Sequence, residues 1–557
     1  MLRNLGLFQL ESISLDNYLE VDLSKYSLGI NEIDDYFFKL NDDQKVEWVV
    51  SRVCDHANGR LARKGCDSIA RCPLHGWTLD LDKLQYINVQ VEKKRLDFKQ
   101  NDNILFIEKN QFFLQVPSQY KTFNPKEISV RFLAHASLAI TIDNFTIVTD
   151  PWLIGPCFMS GWWHKVIPKA DVMDIMINAN LIYISHNHPD HMHMETLLYL
   201  KNKRPNIPII VPPFSSESVV RPLKSYGFTN IISLPFNNIF LVNERKILLS
   251  ILKSGDFRDD SGLFFMAGEF SGLLTVDAAA LNRMILPKNI DFLATAFAGG
   301  ASGYPWCFDH YPIEQRQEIS DQSKRAVMKH AMDYIKITQP KNYMPYAGYF
   351  SEEASRDNFI KINNKKNSVD DIKNLLFKII PDIHFIDPTI TDLVRFNADG
   401  AILEKENIKL DPLYQMDQSY VDLYLEKEMG SGRCFDIKHV ADYFLSCKFH
   451  DDLIVYLVPT DSVFDSSPNG LKIDFSNTEV IVDIMNSSAL QVDYEISSPL
   501  KKKVIKVRQD ALWLVIKNAL SWEELSIGFQ CRIVRRPDVY NSKFWDYFTN
   551  TYTNFNN

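Results

Sequence analysis

Two short motifs near the N-terminus pair cysteine with histidine. Cys54-Asp55-His56 is followed, after fifteen intervening residues, by Cys72-Pro73-Leu74-His75. A 2Fe–2S cluster of the Rieske type needs two thiolates on one iron and two imidazoles on the other. Each loop supplies one of each, so Cys54, His56, Cys72 and His75 are the expected cluster ligands. Gly59, Gly76 and Trp77 suit the tight loops that wrap such a cluster. A structural zinc site is the competing use of the same four residues. Zinc fingers group cysteine with cysteine and histidine with histidine, whereas each motif here mixes the two. Cys66 lies between the motifs and is expected to be a bystander. Such a cluster moves single electrons, so a redox enzyme is expected.

A second constellation follows an apolar, strand-like run. Leu181-Ile182-Tyr183-Ile184-Ser185 leads into His186-Asn187-His188-Pro189-Asp190-His191, an H-x-H-x-D-H pattern. Two histidines two apart on an extended loop can share one metal, and the aspartate and adjacent histidine then face a second. The pattern resembles the metallo-β-lactamase superfamily, which implies a sandwich of two sheets flanked by helices. On that resemblance Asp150, after Phe145-Thr146-Ile147-Val148-Thr149, stands where the first acidic motif belongs. Asp277, after Leu273-Leu274-Thr275-Val276, matches the bridging aspartate. Where relatives carry a further histidine before that strand, this chain offers Asp256 in Ser254-Gly255-Asp256-Phe257. Where they carry a last histidine, Tyr343-Met344-Pro345-Tyr346-Ala347-Gly348 has none. His135, His193 and His310 are the candidates to complete the shell. A carboxylate in place of an imidazole hardens the site and suits iron better than zinc. The expected metal ligands are therefore His186, His188, Asp190, His191, Asp256 and Asp277, holding one or two iron ions. Asp190, His191 and Asp277 are expected nearest the chemistry.

The order of these two metal motifs resembles the CMP-N-acetylneuraminic acid hydroxylase family. Further strings carry the likeness: Asp150-Pro151-Trp152-Leu153-Ile154-Gly155-Pro156, Gly161-Trp162-Trp163, Phe297-Ala298-Gly299-Gly300-Ala301-Ser302-Gly303, Ala347-Gly348-Tyr349-Phe350 and Arg536-Pro537-Asp538-Val539-Tyr540. The resemblance implies a monooxygenase that hydroxylates the N-acetyl group of CMP-N-acetylneuraminate to the N-glycolyl form. It also implies O2 and electrons that start at NADH and arrive through a cytochrome b5-like, ferredoxin or reductase partner. A methyl C–H is not acidic, so its oxidation needs activated oxygen, a redox metal and electrons. Two readings compete: an oxygenase of the same architecture on another substrate, such as an amine or another nucleotide-linked sugar, and a metal-dependent hydrolase with an accessory Rieske domain. An anionic nucleotide-sugar substrate needs cations; Lys165 and the group Arg532, Arg535 and Arg536 are the candidates.

These motifs need scaffolds, and the chain of 557 residues is long enough for several domains. A multidomain α+β protein is expected. Residues 1–120 hold short alternating runs, such as 104–107 and 112–116, around the Cys/His motifs and read as a small β-rich Rieske domain. Residues 117–126 are polar, with two prolines, and read as a linker. Residues 127–385 alternate strands and helices and read as the metallo-β-lactamase-like αββα sandwich. Residues 386–557 read as a C-terminal α+β domain, with strands near 453–458 and 480–484 and a helix near 511–520. Hydrophobic residues at 46% and charged residues at 24% fit a globular protein, and a net charge of −9 argues against nucleic-acid binding. No apolar run of membrane-spanning length and no signal sequence is found, so a cytoplasmic location is expected. Eight scattered cysteines then read as thiols or metal ligands, with Cys307, Cys434, Cys447 and Cys531 in the core.

Overall fold

The computed structural model describes all residues except 1–6, 10–13, 57–58, 66, 74–75, 88, 90, 113–115, 117, 243–245, 257, 398–399, 407, 409–416, 433, 466–467 and 553–557. His75, Cys66 and most of the strand expected at 112–116 thus lie outside the described residues.

The N-terminal region is made of small antiparallel sheets. Gly29–Ile33, Tyr36–Leu40 and Val46–Ser51 form one, and the short strands Ala62–Arg63, Ile69–Arg71, Thr78–Asp80 and Gln85–Tyr86 form another. Neighbouring residues on a strand point to opposite faces. Phe37 and Val50 therefore join the cluster around Cys54, Cys72, Trp77 and Tyr86, while Phe38 and Val49 join a separate one.

Two eight-stranded sheets make the middle of the molecule. The first runs Ile231–Ser233, Ile209–Val211, Leu181–Tyr183, Phe145–Thr149, Ser137–Ile142, Ile128–Ala134, Leu393–Asn397 and Gly400–Glu404. The second runs Leu7–Gln9, Phe240–Val242, Ile247–Lys253, Ser261–Ala267, Phe270–Leu274, Phe292–Thr295, Asn342–Pro345 and His384–Phe385. Alternation again sorts the layers. Leu181, Tyr183 and Ile210 share a core with strands of the second sheet, while Ile182, Ile209 and Val211 pack outward on helices Val172–Asn178 and Met194–Lys203. Helix Ile313–Thr338 covers the second sheet through Met328, Ala331, Met332 and Ile335, an apolar stripe at helical spacing. The result is the expected αββα order.

The first sheet does not stop at residue 385. Leu393–Asn397 pairs antiparallel with Ile128–Ala134, and Gly400–Glu404 closes the edge. The hairpin partners the strand that opens the domain, so no local pattern marks it as part of the sandwich. Leu7–Gln9 likewise pairs with Phe240–Val242 in the second sheet. The expected linker contains a short helix, Ser118–Lys121.

The C-terminal region has a five-stranded sheet in the order Ile481–Asn486, Asn469–Asp474, Leu453–Thr460, Lys501–Arg508, Cys531–Arg536, with helices Ile437–Leu445 and Gln509–Lys517. Its core is continuous with Trp152, Cys157, Phe158, Trp162 and Trp306 of the middle region. Contact is close: a Cβ on Gly161 would lie 2.4 Å from the carbonyl oxygen of Gly528. The C-terminal region is thus packed against the loops that follow Asp150. Cys307, Cys447 and Cys531 are buried, whereas Cys434 is exposed, unlike the core position expected for it. Among the described residues no helix is long and apolar enough to cross a membrane.

Candidate metal centre

The site sits where several strands of both sheets end. Strands Phe145–Thr149 and Leu181–Tyr183 pair in parallel, Val148 beside Ile182, which brings Asp150 next to Ser185. Asp150 accepts from the Ser185 amide at 2.7 Å and from the Ser185 hydroxyl at 2.7 Å. That pairing fixes the base of the histidine loop. His135 occupies the tight turn between Ile128–Ala134 and Ser137–Ile142, and Asp277 follows Phe270–Leu274. Backbone strain gathers here: His135, Asp150 and Val276 have φ of 44°, 38° and 53°, a region that side-chain-bearing residues avoid. For the β-branched Val276 the cost is of order 1–3 kcal/mol and is met by the surrounding packing. Tyr346 helps hold it, its hydroxyl accepting from the Val276 amide at 3.0 Å.

Two groups of side chains could each hold a metal ion. His186, His188 and Asp277 form one; His135, Asp190 and His191 form the other. His186 Nε2 and His188 Nδ1 are 2.9 Å apart. His191 Nε2 lies 3.2 Å from Asp190 Oδ2 and 3.5 Å from Asp277 Oδ2, so Asp277 stands between the groups. His135 Nε2 is 3.1 Å from the same Asp190 oxygen. The fit to metal can be tested on buried atoms. His191 Nε2, Asp190 Oδ1 and His135 Nδ1 are buried and make no hydrogen bond. Unsatisfied buried polar atoms are costly; of the three, His191 Nε2 faces Asp190 and Asp277, and one ligand atom from each of His135, Asp190 and His191 comes close enough to the others to share an ion.

The rings are oriented from behind. His191 Nδ1 meets Asp150 Oδ2 at 3.0 Å, His186 Nδ1 meets Ser185 Oγ at 2.9 Å, and His188 Nε2 meets Glu523 Oε2 at 3.4 Å. Metal-binding histidines commonly tie their second nitrogen to a carboxylate in this way, which fixes the ring's tautomer. Burial opposes charge on His191, but Asp190 and then Asp277 overcome it and raise its pKa well above the ordinary value. Burial would also raise Asp190, yet His191 holds it well below the usual carboxylate range. His186 is pushed well down by burial and by the neighbouring His191 and His188. Glu524, beside Glu523, is pushed up to about 8 by burial, against the pull of His188.

The H-x-H-x-D-H residues and Asp277 therefore converge. Asp256 joins neither group; it pairs with Arg258, whose Nε donates to Asp256 Oδ2 at 2.8 Å. His193 caps helix Met194–Lys203 and bonds Thr196 and Pro156, and His310 lies 3.3 Å from Asp538. Sequence reasoning missed Glu523 and Glu524, because they come from a distant region with no motif around them. It held His135 only as one of three candidates. The basic group does not form one cation site: Arg535 pairs with Asp538, Arg536 with Glu495, and Arg532 stacks on Phe464. In the N-terminal region Cys54 and Cys72 are buried and hydrogen-bonded to each other, and that bond, then burial, pushes the Cys54 thiol up. His56 stacks on Trp77 with ring centroids 4.6 Å apart.

Fold and site define a β-lactamase-superfamily scaffold with two side-chain groups that could each hold a metal ion. Residues 129–233 match the Beta-lactamase superfamily domain. The chain is 30% identical over 522 residues to the cytidine monophosphate-N-acetylneuraminic acid hydroxylase of Pongo pygmaeus, covering 89% of this chain and 86% of that one. It is 29% identical over 529 residues to that of Mus musculus, covering 89% and 88%. Among solved structures it is similar to CmlA, a diiron beta-hydroxylase from Streptomyces venezuelae, at 20% identity and a TM-score of 0.29, covering 40% and 45%. The chain belongs to the CMP-N-acetylneuraminic acid hydroxylase family. It is accordingly an oxidoreductase of the monooxygenase class.

Proposed function

We propose that this chain hydroxylates the N-acetyl methyl of CMP-N-acetylneuraminate, giving the N-glycolyl form, with O2 as the oxygen source. Electrons from NADH would arrive through a separate carrier protein and a Rieske cluster on Cys54, His56, Cys72 and His75. The observation that carries the reading is the convergence of buried ligand side chains, His135, Asp190 and His191, beside the His186–His188–Asp277 group. The buried Cys54–Cys72 thiol pair, with His56 held against Trp77, supports the electron inlet. The use of NADH would place the reaction in the cytoplasm.

Iron held by His186, His188, Asp190, His191 and Asp277 would supply the oxygen-activating chemistry, with His135 beside the second position. The chain's own part is orientation and exclusion of water. Asp150 keeps the Nδ1 proton on His191, which leaves Nε2 to face the centre. Glu523 does the same for the far nitrogen of His188. Glu524 sits buried and, with its pKa at about 8, is mostly uncharged at neutral pH, so it adds little negative charge beside the site. Trp152 and Trp162 pack on His135 and shut solvent from the turn that carries it.

The test is spectroscopic. The reduced protein should give the electron paramagnetic resonance signal of a 2Fe–2S cluster with mixed ligation, and Cys54→Ser should abolish both that signal and turnover. A hydrolase would keep turning over without the cluster; that result would replace this reading.

A further inference from the structure

We propose that Asp260, rather than Asp256, is the carboxylate that completes the metal position formed by His186, His188 and Asp277. The inference rests on the reading that this centre binds metal. Sequence position points to Asp256, but both of its oxygens are taken. Oδ2 accepts from Arg258 Nε at 2.8 Å and pairs with the Arg258 NH2 group at 2.8 Å. Oδ1 accepts from Ser254 Oγ at 2.9 Å and from the Arg258 amide at 3.2 Å. Turning Asp256 onto a metal would give up a two-point pairing with Arg258 and leave the buried carboxylate without its four present contacts.

Asp260 is placed differently. It is 3% exposed, and its Oδ1 lies 3.9 Å from His186 Nε2. Two ligands on one ion, each with a bond of about 2.0–2.2 Å, lie at most about twice that apart, so the separation from His186 fits a shared ion, and a small side-chain movement towards His188 and Asp277 would bring Asp260 into their group, outside which it now stands. Its Oδ2 is buried and makes no hydrogen bond, although Arg258 Nε is 3.5 Å away. The backbone holds it there. The Ser254 amide donates to the Asp260 carbonyl at 2.9 Å, closing the loop. The adjoining Ser261 donates through Oγ to the Ser185 carbonyl at 2.7 Å, which ties Asp260 to the base of the histidine loop. Arg258 then has two tasks: it neutralises Asp256, and it offsets part of the charge of Asp260. The position so completed has two imidazoles and two carboxylates. That oxygen-rich donor set favours a harder ion than a set of three histidines would.

A plain structural role would make Asp260 a second partner of Arg258 and nothing more. Metal counting separates the two. Full-length wild type, Asp260→Asn, Asp260→His and Asp256→Asn are loaded with Fe(II) without air, and iron per chain and Fe(II) affinity are measured. Asp260→Asn is expected to lose one iron equivalent outside the cluster and at least tenfold in affinity at that position. Asp260→His is expected to recover occupancy and shift preference towards zinc. Asp256→Asn is expected to keep the count. Asp260→Asn with an undiminished count and affinity overturns the assignment. If that variant fails to fold, a crystal structure of the metal-loaded wild type decides: an Asp260 oxygen within about 2.3 Å of the ion supports it, and one beyond about 3 Å overturns it. A wild type that forms its cluster but binds no metal at His186 and His188 would remove the functional reading itself, and this assignment with it.

Discussion

Asp150 and His191 meet at 3.0 Å, carboxylate to ring nitrogen, and neither side chain reaches solvent. The same carboxylate also holds the Ser185 amide and hydroxyl. One residue thus sets the loop that carries His186 and the ring orientation of His191. Asp150→Asn keeps the size but offers an NH2 group in place of one acceptor. Metal affinity is expected to fall about 10–100-fold, read by competition with a chelator of known strength. Unchanged affinity would mean that the rings hold themselves.

Glu523 repeats the arrangement from the C-terminal region, more weakly. Its distance to His188 is 3.4 Å, and its side chain is 31% exposed. An exposed charge pair contributes about 0–1 kcal/mol. Glu523→Gln is therefore expected to weaken metal binding only several-fold, less than Asp150→Asn does in the same assay. A larger effect would make Glu523 a ligand in its own right.

One glycine in the seam between regions and one on an open helix face make a contrast. Gly161→Ala would drive a methyl against the Gly528 carbonyl at 2.4 Å, backbone on backbone. Overpacking of this kind costs about 1–3 kcal/mol or more. Gly430 lies in helix Gln418–Gly432, and a Cβ there meets nothing within 4 Å. Gly430→Ala is expected to raise stability by up to about 1 kcal/mol. Thermal unfolding should move the two variants in opposite directions.

Acid sensitivity has an identifiable source in His164. Its Nε2 lies 2.9 Å from the Trp152 carbonyl and its ring stacks on Trp152, and burial lowers its pKa from 6.5 to about 3. The unfolded chain takes up a proton below pH 6.5 that the folded chain refuses until about pH 3. Stability is therefore retained above pH 6.5 and lost on acidification, by about 1.4 kcal/mol per pH unit for this group. His164→Gln keeps a donor and cannot titrate. Its denaturant midpoint should fall less steeply than that of wild type between pH 6.5 and 5, and parallel slopes would refute the attribution.

The sequence made some of this visible and hid the rest for physical reasons. The H-x-H-x-D-H loop and Asp277 are local signals, because their spacing and strand-end position already carry the geometry. Asp150 was legible for the same reason, as an acid ending an apolar strand. Asp256 and Asp260 lie four residues apart on one loop, and only the folded loop shows that Arg258 engages the first and leaves the second facing His186. Glu523 arrives through tertiary packing and has no local signal at all. The hairpin Leu393–Glu404 escaped because its pairing partner is the first strand of the sandwich.

The central claim is oxygenation of the N-acetyl methyl. Iron-loaded protein with an intact cluster is incubated with CMP-N-acetylneuraminate, oxygen-18 gas and a reducing system, and the product is weighed by mass spectrometry. One oxygen-18 atom in the N-acyl group, with none drawn from labelled water, is the predicted result. Substrate recovered without added oxygen, from protein whose cluster and iron are both in place, would contradict it.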